Sequence, residues 1–471
     1  MGTKIRFGTD GWRGIIADQF TFSNLRRVAG RAGQVLYELA GRECYEIVVG
    51  YDRRFLSAEF AQAIAEVLAD LGFTVLLAEG FAPTPAFSWS AYARQSLGAL
   101  VVTASHNPPQ YSGLKIKGSF GGSVGKEVTN LIEQRLLENA EWRLERTGAI
   151  ATFDPWSDYV RQLRSKVDIG EIAKLTDAGS LAVYADVMHG TASGGLARLL
   201  GQPIRELHSE RDPLFGGIAP EPLAVNLGEL RQMVMSASSD LAVGFAFDGD
   251  SDRLACIDKS GQFLSSQFLI PILLQHLVEY RQRTGIFVKT ISGSDLMPKV
   301  ASMYGLPVAE TPVGFKYIAE QMLAQPTLLG GEESGGIGYG DHIPERDALL
   351  SALYLLEAIA VSRQNLSQLY AALQNRLNFY FAYDRIDRRL ADMSTQAQVY
   401  QKLSLHPPHA IAGIAVTEIT NPDGFKFRLA NGGWLLVRFS GTEPVLRLYC
   451  EAPTASAVQE ILQWISGWID S

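Results

Sequence analysis

The sequence predicts an α/β protein, with three consecutive mixed α/β sheet domains and a smaller C-terminal α+β domain around a central cleft. Three observations predict it. The 471 residues exceed what one hydrophobic core organises, and a prior of about 150 residues per domain gives roughly three. Short apolar runs alternate with helix-period segments through most of the chain. After about residue 375 this pattern gives way to successive extended segments closed by one helix.

In residues 1–150, Ile47-Val48-Val49 leads into Gly50-Tyr51-Asp52-Arg53, a strand followed by a loop. From Ser57 the apolar positions Phe60, Ile64, Val67, Leu68 and Leu71 recur at helical spacing, and Gly72 supplies a stop. A strand at 75–77 follows, and the apolar run 99–102 feeds a polar loop that begins at Thr103. That loop sits at a strand's carboxyl end, where open α/β sheets bind ligands. The same alternation recurs over 151–253, with strands near 181–184 and 241–247, and over 254–374, with strands near 286–290 and 328–329. Residues near 140–155 and 253–256 read as joints, the first because it is polar and charged between two periodic regions. In 375–471 the extended segments 413–420, 425–429, 434–439 and 446–450 precede a helix striped by Val458, Ile461, Leu462, Ile465 and Ile469.

Composition narrows the class. With 47% hydrophobic and 20% charged residues the chain reads as globular. A formal net charge of -8 argues against nucleic acid, whose binding needs a basic face to displace counterions. Cys44, Cys256 and Cys450 lie too far apart for pairing or metal-ligand spacing and point to a reducing compartment. The N-terminus lacks the apolar core of a signal peptide, and Arg6 spoils the myristoylation pattern that Gly2 opens. The most apolar helical run, 265–279, is interrupted by Gln267, Pro271, Gln275 and His276, so no membrane span is expected. The expectation is a cytoplasmic protein without nucleic-acid or membrane partners.

Four loops at strand ends carry candidate chemistry. Asp248-Gly249-Asp250-Ser251-Asp252-Arg253 places three carboxylates at alternating positions, a set of hard oxygen ligands that suits Mg²⁺. Without a cation they would repel one another. Thr103-Ala104-Ser105-His106-Asn107-Pro108-Pro109 sets a serine beside a histidine in a proline-stiffened loop; alone it is as compatible with an ordinary turn. No Gly-x-Ser-x-Gly elbow supports an acyl-transfer triad. Gly331-Glu332-Glu333-Ser334-Gly335-Gly336 offers carboxylates and a hydroxyl to vicinal sugar hydroxyls, although in isolation a polar turn accounts for it. Arg438-Phe439-Ser440-Gly441-Thr442-Glu443-Pro444 can cradle a phosphate through a guanidinium fork, hydroxyls and exposed N–H groups, or can be a hairpin loop with a structural arginine.

Together with Phe7-Gly8-Thr9-Asp10-Gly11-Trp12-Arg13-Gly14, these loops occur in the order found in the α-D-phosphohexomutase superfamily, which the chain resembles from Phe7 to its last helix. The resemblance implies a phosphoserine at Ser105, with Mg²⁺ held by that phosphoserine and by Asp248, Asp250 and Asp252. It implies that Arg13, Arg253 and His106 add positive charge or hydrogen bonds around the transferring phosphoryl group. Lys115 matches a proposed general acid/base, a role that requires neighbouring cations to lower its pKa. Arg438, Ser440, Gly441 and Thr442 would hold the phosphate that is not reacting, Glu332 and Ser334 the sugar hydroxyls, and Lys316 the substrate phosphate.

The implied cycle passes through glucose 1,6-bisphosphate and acts on small-molecule sugar phosphates, in a monomer or homodimer. Thr311-Pro312-Val313-Gly314-Phe315-Lys316 and Asp341-His342-Ile343-Pro344-Glu345-Arg346-Asp347 resemble glucose-specific phosphoglucomutases more than dual-specificity phosphomannomutases. Gly336 stands where many relatives carry a histidine, which leaves open whether His342 substitutes for it. A weakened sugar loop at Gly336 would favour release of the bisphosphate, the behaviour of a glucose 1,6-bisphosphate synthase fed by a donor such as fructose 1,6-bisphosphate.

Overall fold

The computed structural model describes residues 5–470 apart from 9, 42–43, 139–140 and 442. Two compact units divide the chain. One comprises residues 1–288 and 314–370, the other 289–313 and 371–471.

The first unit opens with a six-stranded sheet in the order Trp12–Ile15, Tyr111–Gly118, Gly98–Val102, Glu46–Tyr51, Thr74–Ala78, Ala149–Phe153. Its four strands from Gly98–Val102 onward are parallel, whereas Tyr111–Gly118 runs antiparallel to both of its neighbours. Gly98–Val102 is buried along its whole length, which explains its unbroken apolar run. Helix Ser57–Asp70 ends where expected, with Gly72 at φ 98° turning the chain into Thr74–Ala78. The helix Phe22–Ala40 starts at Thr21, whose hydroxyl accepts from the Asn24 N–H, and packs Val28 and Val35 onto a core with Ile47, Val49, Ile64 and Val102.

A second sheet follows in the order Phe263–Leu264, Leu254–Asp258, Leu241–Phe247, Leu181–Asp186, Arg205–Leu207. Leu241–Phe247 and Leu254–Asp258 form an antiparallel hairpin whose turn carries the aspartate loop. The third set of elements in this unit includes Thr327–Gly331 paired antiparallel with Ile337–Tyr339, so that the glutamate loop is also a hairpin turn. The helix Ala348–Ser362 is apolar nearly all round, and its one carboxylate, Glu357, is buried. Glu357 is satisfied by His276 Nε2 at 2.7 Å, Arg281 Nε at 2.8 Å and the Asp168 N–H at 2.5 Å.

The second unit holds a six-stranded antiparallel sheet in the order Ala382–Arg389, Val445–Ala452, Trp434–Phe439, Phe425–Leu429, Ile414–Thr420, Ala410–Ile411. The expected terminal helix is Ala455–Asp470, with Val458, Ile461, Leu462 and Ile465 in the core. The sequence pattern missed a second helix, Met393–Leu405, and the first strand. Ala382–Arg389 carries two aspartates and three arginines and reads as a polar linker, because an edge strand needs no continuous apolar face.

The chain carries regular structure at or beside each expected domain joint. Residues 150 and 151 lie within the edge strand Ala149–Phe153, whose first four residues are exposed and so mimic a joint. Residues 253 and 254 lie in the hairpin that carries the second sheet on to Phe263–Leu264, and 374 and 375 lie in the helix Leu366–Leu377.

Candidate active site

Ser105 sits one turn beyond Gly98–Val102 in a left-handed backbone conformation, φ 53°, that a non-glycine residue adopts at a cost. Its N–H donates to Thr103 Oγ1 at 2.9 Å, and the loop carbonyls are tied to one buried side chain that the sequence did not single out. The Arg54 guanidinium donates to the carbonyls of Ser105 (2.6 Å), Asn107 (2.6 Å), Pro108 (3.0 Å) and Tyr111 (3.1 Å). Asp52, held by Ser57, pairs with Arg54 Nε at 3.2 Å. So anchored, Ser105 Oγ donates to Asp248 Oδ2 at 2.9 Å and lies 3.3 Å from His106 Nδ1.

Replacing Arg54 by lysine keeps the charge and removes the fork. Turnover is expected to fall by about 100-fold, since misplacing a reacting group by about 1 Å costs that much, with melting temperature retained better than in Arg54→Gln. Wild-type turnover in Arg54→Lys would exclude this anchoring role.

The aspartate loop is buried. Single oxygens of Asp248, Asp250 and Asp252 lie within 4.8 Å of one another, the one such group of metal-ligating side chains among the described residues. Asp248 Oδ1 accepts from the N–H groups of Asp252 (3.1 Å) and Arg253 (3.2 Å), and Asp250 Oδ2 from Thr84 Oγ1 (2.5 Å). Asp250 Oδ1 and Asp252 Oδ1 are buried without a hydrogen-bond partner. Burial and the charges of Asp252 and Asp250 push the Asp248 carboxyl well above the usual carboxylate range. Orphaned oxygens and mutual repulsion are what a divalent cation relieves, so the donor set fits Mg²⁺.

Lys115, on strand Tyr111–Gly118, departs from expectation. Its ammonium lies 2.8 Å from Asp250 Oδ2, 2.8 Å from Asp252 Oδ2 and 2.9 Å from Asp10 Oδ2. Burial alone would lower its pKa, but these three carboxylates outweigh it and hold the group above the ordinary lysine range, not below it. In this arrangement the group is held as an ammonium by its three carboxylates. For His106, burial and the cations Arg253 and Arg13 push the pKa well down, which favours the hydrogen-bonding, uncharged ring beside Ser105. Arg13 donates to Asn107 Oδ1, and Arg253 Nε lies 3.9 Å from Asp252 Oδ1.

The glutamate loop is stapled to the aspartate hairpin. Leu254 N–H donates to the Gly335 carbonyl at 3.2 Å, and Arg253 pairs with Gly336 in an antiparallel bridge. Glu332 is buried, with its pKa raised by burial against the pull of Arg346 and Arg253, and Ser334 is half-buried. His342 does not substitute for a side chain at Gly336. It is enclosed, stacked on Trp89 at 5.5 Å and 3.2 Å from Asp347, the cap of helix Ala348–Ser362. Lys316 lies on the first turn of helix Phe315–Ala324 with its ammonium over the Tyr317 ring. In the second unit Arg438 Nε pairs with Asp423 at 2.8 Å, and Ser440 N–H donates to the Val445 carbonyl at 3.0 Å. A Cβ on Gly441 would meet nothing within 4 Å, so its backbone is open to a ligand. Thr442 lies outside the described residues.

The chain is similar to known proteins along most of its length. Family models for phosphoglucomutase/phosphomannomutase match in sequence order: α/β/α domain I over residues 4–143, domain II over 157–261, domain III over 265–377 and the C-terminal domain over 395–466. A phosphoglucosamine mutase of Limosilactobacillus reuteri is 30% identical over 471 residues, covering 98% of this chain and 96% of the relative. The chain belongs to the phosphoglucomutase/phosphomannomutase family. A phosphoglucomutase/phosphomannomutase of Thermococcus kodakarensis is 29% identical over 464 residues, 97% and 96% of the two chains. A Thermus thermophilus structure, assigned as a phosphomannomutase, superposes over 100% of both chains with a TM-score of 0.86 and 33% identity.

The protein is thus a phosphohexomutase, an enzyme of the α-D-phosphohexomutase superfamily with three α/β/α domains and a C-terminal domain. Among the described residues no helix is long and apolar enough to cross a membrane. For a phosphohexomutase the loop positions have a chemical logic: charge moving with a phosphoryl group must be met by fixed charges and donors already in place.

Proposed function

We propose that this phosphohexomutase is a phosphoglucomutase that interconverts glucose 1-phosphate and glucose 6-phosphate through a phosphoserine at Ser105 and glucose 1,6-bisphosphate. The observation that carries the reading is Ser105 Oγ, buried and 2.9 Å from Asp248 Oδ2 beside two unpartnered aspartate oxygens. Ser105 is the phosphoryl carrier: the phosphorus–Oγ bond breaks as a sugar hydroxyl oxygen bonds to phosphorus, the hydroxyl's proton ends on the departing Oγ, and the reverse step returns the other phosphate. Asp248, Asp250 and Asp252 with the phosphoserine would hold Mg²⁺, which when bound neutralises charge on the transferring group.

In this reading Lys115 serves the proton exchange as general acid/base, Arg13 and Arg253 offset phosphoryl charge, and His106 orients Ser105 through its contact with Oγ. Glu332 and Ser334 accept from and donate to sugar hydroxyls. Lys316 contacts the substrate phosphate, and Arg438, Ser440, Gly441 and Thr442 hold the phosphate that is not reacting. The substrates are small sugar phosphates, handled by a monomer or homodimer.

Glucose is favoured over mannose by the segments around Lys316 and Arg346, and phosphomannomutase activity is the alternative within the same site. The synthase alternative rests on a sugar loop left weak at Gly336. That support is reduced, because the stem of Arg346 occupies the space beside Gly336.

The test is phosphorus NMR of the phosphorylated protein given glucose 1-phosphate, with and without fructose 1,6-bisphosphate. Net glucose 6-phosphate primed by trace bisphosphate supports the mutase. Stoichiometric accumulation of glucose 1,6-bisphosphate would replace it by the synthase, and inorganic phosphate as the main product would sink both.

A further inference from the structure

Gly336 and Arg346 are a matched pair. A Cβ built on Gly336 would stand 2.3 Å from Arg346 Cδ and 2.9 Å from Cγ, so a side chain at 336 and the present path of Arg346 exclude each other. The arginine uses that room to cross the site. Nη2 donates to Asp10 Oδ2 at 2.6 Å and to Asp252 Oδ2 at 2.7 Å, while Nη1 lies 3.7 Å from Glu332 Oε2 and Nε 3.9 Å from Glu345 Oε1. One buried guanidinium therefore links the aspartate loop to the glutamate of the sugar loop, a link that the segment Asp341 to Asp347 does not show in sequence.

We infer that Arg346, admitted by Gly336, is a specificity-determining residue that makes this site take hexose phosphates with a neutral group at carbon 2 and reject those carrying an ammonium there. The inference rests on the proposed role of Glu332 as a hydroxyl acceptor. Glu332 has its carboxylate beside a guanidinium that does not deprotonate. It can still accept from a sugar hydroxyl, which is uncharged. A 2-ammonium on the adjacent ring carbon would have to share that carboxylate with Arg346 at close range, and like charges in a buried site repel with little screening. The other acids around Arg346 are already engaged, Asp10 and Asp252 by Arg346 and Lys115 and Glu345 by Lys117. Several relatives are phosphoglucosamine mutases, so the discrimination separates this chain from proteins of the same architecture.

The experiment compares conversion of glucose 1-phosphate, 2-deoxyglucose 1-phosphate and glucosamine 1-phosphate to their 6-phosphates by phosphorus NMR, in wild type, Arg346→Lys and Arg346→Gln. The 2-deoxy sugar reports the loss of the hydroxyl alone, so its gap from glucosamine isolates charge. In wild type, kcat/KM for glucosamine 1-phosphate is expected to be at least about tenfold below that for 2-deoxyglucose 1-phosphate. Arg346→Gln should close that gap, whatever its loss of overall rate, and Arg346→Lys should keep it. A wild type that isomerises glucose 1-phosphate but treats the other two sugars alike overturns the inference, as does a gap unchanged in folded Arg346→Gln. The wild-type comparison decides if that variant fails to fold. A wild type inert on all three sugars sinks the glucose reading as well.

Discussion

Ser105→Ala is expected to lower interconversion of glucose 1-phosphate and glucose 6-phosphate by about 10⁴-fold or more, the loss typical when a covalent carrier is removed. The fold should survive. Ser105 Oγ donates to Asp248, and its loop is held by Arg54 through main-chain carbonyls that alanine leaves in place. Losing a hydrogen bond of this kind costs on the order of 1 kcal/mol, offset in part because Asp248 keeps the Asp252 and Arg253 N–H groups. Incubation with glucose 1,6-bisphosphate followed by intact-protein mass measurement should add one phosphoryl group to wild type and none to the variant. Near-normal turnover, or phosphorylation of Ser105→Ala at another residue, would refute the carrier assignment.

Lys115→Ala is expected to act on stability as much as on rate. The ammonium is the shared partner of Asp10, Asp250 and Asp252, all close by and largely shut off from water. Removing one member of a buried ionic cluster typically costs about 3–5 kcal/mol; here Asp250 loses its ammonium and Asp10 and Asp252 are left to share Arg346. In metal-free buffer the variant should therefore melt well below wild type. Mg²⁺ should recover more of the loss in the variant than it adds to wild type, since a cation at Asp250 and Asp252 does part of what the ammonium did. Thermal melts of both proteins with EDTA and with excess Mg²⁺ provide the comparison. Equal melting temperatures without metal would show that Lys115 is not the counter-ion of the cluster. Turnover should fall too, with Lys115→Arg restoring stability better than rate if proton donation from this position matters.

What could be read in the chain and what could not divide along sequence distance. Ser105, Asp248, Asp250, Asp252, Glu332 and Ser334 stood out because each lies in a short polar loop after an apolar strand, and such loops are local patterns. The glycine and helix signals around Ser57 and Gly72 were legible for the same reason. Arg54 and the contacts of Arg346 were not. Arg54 reaches a carbonyl 51 residues away and Arg346 an aspartate 94 residues away, and an arginine in sequence looks the same whether it is solvated or buried. Ala382–Arg389 and Ala149–Phe153 escaped notice as strands because edge strands satisfy their charged or exposed faces with water.

The sequence by itself determined the α/β architecture, the four chemistry-bearing loops and the resemblance to phosphohexomutases, since periodicity and short motifs are written in consecutive residues. Tertiary structure alone decided the electrostatics. It put Lys115 among three carboxylates that raise its pKa, buried His106 beside Arg253 and Arg13 so that its pKa falls, and filled the space at Gly336 with Arg346. Charge state depends on which groups folding brings within a few ångströms and on how much water is excluded from them, and neither quantity is local in the chain.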